Sequence, residues 1–406
     1  MNTTLQKGID WVGYVDWKTR DFHGYNTQRG ATYNAYLIQD DNSALIDTVK
    51  KPYAVELLKN ISALSELSNI KYIVCNHAEP DHSGALPIVM ESIPNATLVC
   101  NKKCQATLSQ YYDTSKWKFH IVATGDTISL GKRTLHFIET PMLHWPESMF
   151  TYIPEDKLLF SMDAFGQHYA TSQRFNDEVP LCTVMEEAKT YYANIIMSYG
   201  KQVEKTLDRL TGIDVEMIAP SHGVVWRKNV SDIINIYKKW ATNSFKPKVL
   251  VIYDTMWEST EQMAMAIHEG ASLPGIESNL IHIRHSDLTK IAAEVLDASS
   301  VAFGSATLNG GMMPMAGAVL TYLKGLRPAK KACFAFGSYG WGKGAPEAIE
   351  EYFKTMKWDI INEPIKSRYK PTSELLNECR AAGRTLGEKA KTIAQNIAGE
   401  KICINP

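Results

Sequence analysis

Seven side chains in the first 222 residues of this 406-residue chain have the types and placement to hold metal ions. Four fall within six positions of Lys71-Tyr-Ile-Val-Cys-Asn-His77-Ala-Glu79-Pro-Asp81-His82-Ser-Gly84-Ala-Leu. The apolar run Tyr72 to Cys75, rich in β-formers, reads as a short buried strand. Its loop presents His77, Glu79, Asp81 and His82, and Gly84 then lets the chain turn into an apolar, helix-like segment. Such a group at the end of a buried strand is costly unless a cation neutralises it. Helix capping by Asp81 or Ser83 would account for only one or two of the four. His144, Asp163 and His222 each follow a predicted strand, beside Gly or Pro, where side chains can converge on one point. A lone histidine in such a place is ordinarily a hydrogen-bonded core or surface residue. Three such sites alongside the 77–82 cluster reverse that expectation and point to a metal centre.

The whole chain bounds what such a centre could serve. A hydrophobic content of 45% and a charged content of 21% suit a globular protein of two or three domains. The formal net charge of -1 gives no electrostatic case for nucleic acid or an anionic membrane. The start, Met1-Asn-Thr-Thr-Leu-Gln-Lys, lacks the layout of a signal peptide. No segment approaches the roughly 18 apolar residues that a membrane span needs. Cysteines 75, 100, 104, 182, 333, 379 and 403 are scattered, as expected of reduced thiols in a cytoplasmic protein. No Cys-x-x-Cys pair is present, so no rubredoxin-like module is expected within the chain, and Cys100 with Cys104 reads as a chance pair.

Two regions must position the chemistry. Residues 1–246 show short strands with helices inserted between them. Asn243-Ser-Phe-Lys-Pro247 reads as a linker, and residues 247–406 form a second domain of strict strand–helix alternation. Strands at 248–253, 279–283, 300–304, 331–336 and 360–365 imply a doubly wound five-stranded parallel sheet, with ligands outside the carboxyl ends of the strands. Three loops there suit a phosphate-bearing aromatic cofactor. Thr255, Met256, Trp257, Glu258, Ser259 and Thr260 offer hydroxyls and free N–H groups at a helix start. Ser305, Ala306, Thr307, Leu308, Asn309 and Gly310 form the second loop. Ser338, Tyr339, Gly340, Trp341 and Gly342 form the third, with two flat aromatic faces. The absence of Gly-x-Gly-x-x-Gly after the first strand argues against a dinucleotide.

The second region resembles flavodoxin, which implies FMN with its phosphate on 255–260 and its ring between the other two loops. Ser259 departs from that loop, which usually has Gly there. The first region resembles the metallo-β-lactamase superfamily, whose motif is His-x-His-x-Asp-His with a later His, Asp and His. Here Glu79 takes the second histidine's place. An oxygen-richer, more anionic shell suits iron better than the nitrogen-rich sites of zinc hydrolases.

Together, His77-x-Glu79-x-Asp81-His82, His144, Asp163 and His222 joined to a flavodoxin half resemble the flavodiiron proteins. The resemblance implies an αββα sandwich, two non-haem irons and FMN. It assigns His77, Glu79 and His144 to one iron, Asp81, His82 and His222 to the other, and Asp163 to the bridge. Of these, His82 is the one that could instead turn away. Glu147 is read as supporting the ligands, and His168 and Tyr169 as near the irons. His23, at a turn, is given little weight. The implied activity is reduction of dioxygen or nitric oxide. Electrons would come from an external donor, rubredoxin or a reduced deazaflavin, to a head-to-tail homodimer or a dimer of dimers. The alternatives are a zinc-dependent hydrolase with an appended flavin domain and a non-catalytic electron carrier.

Overall fold

The structure, a computed structural model, describes residues 3–400, with side chains described to residue 395. Cys403 lies outside the described residues. The first compact unit comprises residues 1–191 and 201–238, and the second comprises 192–200 and 239–406. The expected single boundary after residue 246 is therefore replaced by an interleaved division, in which the chain leaves the first unit at Tyr192 and returns to it at Lys201.

The first unit is a sandwich of two sheets. One has seven strands, in the order Thr3–Gln6, Ile9–Trp11, Tyr36–Ile38, Ser43–Ile46, Ile70–Val74, Thr97–Cys100 and Lys118–Ile121. The other has five: Thr127–Ser129, Thr134–Glu139, Met149–Ile153, Leu158–Met162 and Met217–Pro220. Met149–Ile153 and Leu158–Met162 are buried at every position, as strands covered on both faces must be. One apolar core joins the sheets, with Ile38, Val74 and Val99 from the first packing with Phe137, Phe160 and Ala219 from the second. The segment from Ile9 to Asp16 carries two separate strands. Ile9–Trp11 pairs in the large sheet, whereas Tyr14–Asp16 pairs with Ala31–Tyr33 outside it.

The second unit is a parallel sheet with apolar cores on both faces. Its order is Glu277–His282, Lys246–Asp254, Ala298–Ser305, Ala332–Tyr339 and an edge. That is the 2-1-3-4-5 order of flavodoxin-like sheets, with a switch point beside the first strand. The edge expected as one strand over 360–365 is two short ones, Asp359–Ile360 and Ile365–Arg368, both on Ala332–Tyr339. Pro364 lies in the break, where it removes a backbone donor. Among the described residues no helix is long and apolar enough to cross a membrane.

Candidate metal centre and flavin cleft

The ligand-bearing loop begins where Ile70–Val74 ends and is fixed from both sheets. Asn76 donates its backbone N–H to Asp47 Oδ1 at 2.8 Å and its amide to Asp47 Oδ2 at 3.0 Å. Thr151, on the opposite sheet, donates to Asn76 Oδ1 at 2.7 Å. The loop then makes one helical turn, Pro80–Ser83, with Glu79 at the N-cap and no side-chain cap bond. Asp81 and Ser83 are thus inside the turn and do not cap it. Gly84 has φ -61, so it is not a left-handed turn residue. It is needed for space, because a Cβ there would lie 2.3 Å from the Pro80 carbonyl oxygen.

All seven expected ligands come together. His77 Nε2 lies 3.1 Å from Glu79 Oε2 and 3.3 Å from Asp163 Oδ2. His144 Nε2 lies 3.2 Å from Glu79 Oε2 and 3.1 Å from Asp163 Oδ2. On the other side, His82 Nε2 and His222 Nε2 lie 3.1 and 3.2 Å from Asp163 Oδ1. They approach Asp81 to 3.4 and 3.2 Å. Asp163 thus faces one triad with each oxygen, and His82 points inward with the rest. With metal–ligand bonds of about 2.0–2.2 Å, neighbouring ligand atoms around one ion sit roughly 3.0–3.6 Å apart. The separations here fall in that range.

Hydrogen bonding does not explain the arrangement. Asp81 Oδ1, His82 Nε2, Asp163 Oδ1 and His222 Nε2 are buried without a hydrogen-bond partner. They face one another at 3.1–3.4 Å without forming hydrogen bonds, and since an unsatisfied buried polar atom costs about 1–3 kcal/mol, the four point to a shared cation. The donor set, three carboxylates and four imidazoles, fits a pair of first-row cations that favour mixed oxygen and nitrogen shells.

The atoms behind the ligands fix which nitrogen faces inward. His77 Nδ1 is 2.9 Å from Glu147 Oε1, which also accepts from the Ala78 N–H at 3.1 Å. His222 Nδ1 is 2.6 Å from the Thr32 carbonyl oxygen. Both rings therefore donate from Nδ1 and present Nε2 lone pairs to the centre, the usual support for metal-binding histidines. As a bare protein the cluster holds protons instead. Burial pushes the His222 imidazolium pKa down, but Asp163 and Asp81 outweigh it and raise it to about 10. For His144, Asp163 and Glu79 prevail over burial and raise it to about 9. Burial pushes Glu79 up, but His144 and His77 hold it down at about 2.

Two neighbours stand out. His23 Nε2 is 3.1 Å from Glu79 Oε1, the oxygen not turned toward His77 and His144. The hairpin pairing Asp21–Phe22 with Tyr25–Asn26 carries it there. The cue in the sequence was Asp21-Phe-His-Gly24, where Asp21 Oδ1 accepts the Gly24 N–H at 3.1 Å. His168 is buried beside His222, with ring centroids 5.4 Å apart, and its Nε2 has no partner. Burial and the neighbouring His222 keep it neutral.

In the second unit a cleft of about 500 Å³ opens at the carboxyl ends of the strands. Met256, Trp257, Ser259, residues 306–310, Ser338 and residues 339–342 line it, as expected. Tyr369 and Lys370 complete the lining and were not anticipated from sequence. Thr255, Glu258, Thr260 and Ser305 are not part of that lining. Thr260 is buried and bonds Ser338 Oγ at 2.8 Å, and Ser305 Oγ accepts the Met313 N–H at 2.9 Å. Both brace the loops from behind. The left-handed residue of the first loop is Glu258, at φ 62, and Ser259 is already helical. Thr255 Oγ1 is buried without a partner at the start of that loop, ahead of the helix Ser259–Ala271, which suits a phosphate oxygen.

Comparison with known proteins agrees with both halves. Residues 31–223 match the ODP family beta lactamase domain, and residues 251–383 match the flavodoxin domain. The chain therefore joins a β-lactamase-like metal domain to a flavodoxin. It is 45% identical over 390 residues to a nitric oxide reductase of Moorella thermoacetica, covering 95% of this chain and 98% of that one. It is 39% identical to an anaerobic nitric oxide reductase flavorubredoxin of Pectobacterium atrosepticum, covering 96% of this chain and 78% of the relative. The crystal structure of the flavodiiron protein from Giardia intestinalis superposes with a TM-score of 0.95 at 41% identity, over 98% of both chains. Rubredoxin oxygen:oxidoreductase from Desulfovibrio gigas superposes at 0.93 with 36% identity, over 97% of this chain and 99% of that one. The chain belongs to the flavodiiron proteins and is an oxidoreductase. The family name states its redox groups, a flavin and a pair of irons, and a zinc hydrolase is not favoured.

Proposed function

We propose that this protein reduces dioxygen to water, nitric oxide to nitrous oxide, or both, at a diiron centre fed through FMN by an external donor. Rubredoxin is the donor that fits the family best, and a reduced deazaflavin is the other candidate. The unit made of residues 1–191 and 201–238 forms the diiron half, and the unit made of 192–200 and the chain from 239 onward forms the FMN half. His77, Glu79 and His144 hold one iron, Asp81, His82 and His222 hold the other, and Asp163 joins the two. When bound, the flavin accepts an electron pair and the irons supply one-electron chemistry to a small diatomic oxidant.

The chain's own groups do the rest. Glu147 and the Thr32 carbonyl hold the Nδ1–H protons of His77 and His222, so that Nε2 of each ring is the coordinating atom. Three carboxylates offset much of the charge of two bound cations. The 306–310 and 338–342 loops seat the flavin ring, with Thr255 and the start of helix Ser259–Ala271 toward its phosphate. A head-to-tail homodimer or a dimer of dimers would set the flavin of one chain against the irons of another.

The convergence of buried, unpartnered atoms from Asp81, His82, Asp163 and His222 carries this reading. Its test is metal and flavin content of the purified protein, followed by gas uptake with chemically reduced rubredoxin. The expected result is about two irons and one FMN per chain, with consumption of dioxygen or nitric oxide; the ratio of the two rates assigns the substrate. Zinc in place of iron, with no uptake after iron reconstitution, would overturn it.

A further inference from the structure

We propose that Tyr33, Tyr53 and Tyr14 form a relay that carries an oxidising equivalent from the metal cluster to the protein surface. It would protect the cluster when oxidant meets it with too few electrons to complete the reduction. The proposal rests on the diiron reading above.

The three rings form a continuous path. Tyr33 is buried, and its ring meets that of His222 edge-on at 5.9 Å between centroids and 81°. Tyr53 stacks on Tyr33 at 5.6 Å and 21°. Tyr14 stacks on Tyr53 at 3.8 Å and 12°. Tyr53 and Tyr14 are half-buried, so the path runs from a ring wholly inside the fold to one in touch with solvent. Phenols are among the most easily oxidised side chains, and neighbouring rings at these separations are within electron-transfer reach of one another.

A phenol becomes a good electron donor only when its proton has somewhere to go. Asp16 supplies that place. Its Oδ2 accepts from Tyr53 Oη at 2.8 Å and lies 3.5 Å from Tyr33 Oη. Charge near Tyr33 favours the same route, because the Lys50 ammonium sits 4.8 Å from its ring and opposes a positive charge there. The oxidised form that this site accommodates is therefore the neutral radical.

The steps balance. A peroxide-class oxidant at the cluster takes one electron from Tyr33, whose O–H bond breaks as the proton passes to Asp16. Tyr33 then recovers an electron from Tyr53 and its proton from Asp16, and Tyr53 releases its own proton to Asp16. Tyr14 repeats the exchange, re-forming Tyr53 and losing its proton to water. A small soluble thiolate returns one electron, and water one proton, to Tyr14, leaving a thiyl radical. Over two such passages the two thiyl radicals pair as a disulfide, and the peroxide takes two electrons, and two protons from water, as its O–O bond breaks to give water, with the protein unchanged.

Packing alone also explains stacked rings, since Asp16 additionally accepts from the backbone of Lys18 and Thr19 and from the Thr19 hydroxyl. Tyrosine-to-phenylalanine changes separate the two accounts, because they keep the rings and remove the dissociable proton. Protein assayed for full iron and flavin content is mixed with hydrogen peroxide in the absence of electron donor. Freeze-quenched samples are read by electron paramagnetic resonance, and digests by peptide mass spectrometry. The parent should give a tyrosyl radical and oxidation products on Tyr14. Tyr33→Phe should lose both and show severalfold more oxidation on the peptides carrying His82 and His222. Tyr53→Phe should keep the radical on Tyr33 and spare Tyr14. Iron-loaded parent without a tyrosyl radical, or Tyr33→Phe with an unchanged signal and unchanged peptides, would overturn the relay alone. A parent that binds no iron at the assay stage would overturn the diiron reading and the relay with it.

Discussion

The metal cluster and the flavin cleft are built on opposite principles. The seven candidate ligands of the cluster are nearly all buried, the most open being His144 at 13% side-chain exposure. Their inward atoms are fixed by Glu147, by the Thr32 carbonyl and by the Asp47–Asn76–Thr151 contacts. The cleft instead carries Trp341 at 93% and Trp257 at 84% exposure on its rim. The difference reflects the forces involved. Charged groups must be held in place before an ion arrives, because a misplaced buried charge costs several kcal/mol. A flat apolar ring tolerates walls that settle around it, since each aromatic contact contributes only about 1 kcal/mol.

This contrast predicts a graded response to disruption. Asp163→Ala should have the largest effect, because each of its oxygens completes a different triad. Gas reduction should vanish and iron content fall, while flavin stays near one per chain by absorbance; a variant with full activity would end the bridging assignment. Glu147→Gln comes next. It leaves the seven ligands in place but weakens the hold on His77 Nδ1, and should cost roughly 10- to 100-fold in metal affinity. Equilibrium titration of the metal-free protein measures that loss, and flavin affinity serves as the internal control.

The third effect is pH. In the metal-free chain Asp163, with Glu79 or Asp81, overcomes burial and raises His144 to about 9 and His222 to about 10. Cations must displace those protons, so metal uptake should strengthen as pH rises from 6 toward 9, by roughly tenfold per pH unit for each proton displaced. For the metal-free fold the sign is reversed. The raised histidines stabilise it fully below their unfolded pKa of about 6.5, and that contribution is lost as pH rises through 9 to 10. Flavin retention should follow neither slope. Trp341→Ala should give the smallest change, about 1 kcal/mol or roughly fivefold weaker FMN binding, with iron content unmoved. A loss of iron in that variant would break the comparison.

The candidate cluster was legible in sequence because four of its residues crowd one loop after a strand, the other three follow later strands, and Glu79 altered the usual motif. Less visible were the contributors brought in by chain closure. His23 reaches Glu79 from 56 positions earlier, through a two-stranded hairpin that no apolar pattern announces. Tyr369 and Lys370 reach the cleft from beyond a broken edge strand, whose split at Pro364 the five-strand reading passed over. The left-handed residue of the first cleft loop is Glu258, a residue type that does not announce that conformation in a sequence. Apolar runs and turn residues report where strands and helices end. They do not report which distant side chain arrives there.

The passage of Tyr192–Gly200 into the second unit bears on how the protein comes apart. Within that unit Asn194 donates to the Thr289 carbonyl at 3.2 Å and accepts from Tyr322 Oη at 2.7 Å. A protease that nicks the chain between Asn243 and Pro247 would therefore leave a fragment that still owns part of the other fragment's core. Such a cut should yield two bands under denaturing conditions and a single species under native ones, a case of fragment complementation. Neither half is an exchangeable cassette, and a flavin domain expressed from residue 247 onward would lack a piece of its own interior.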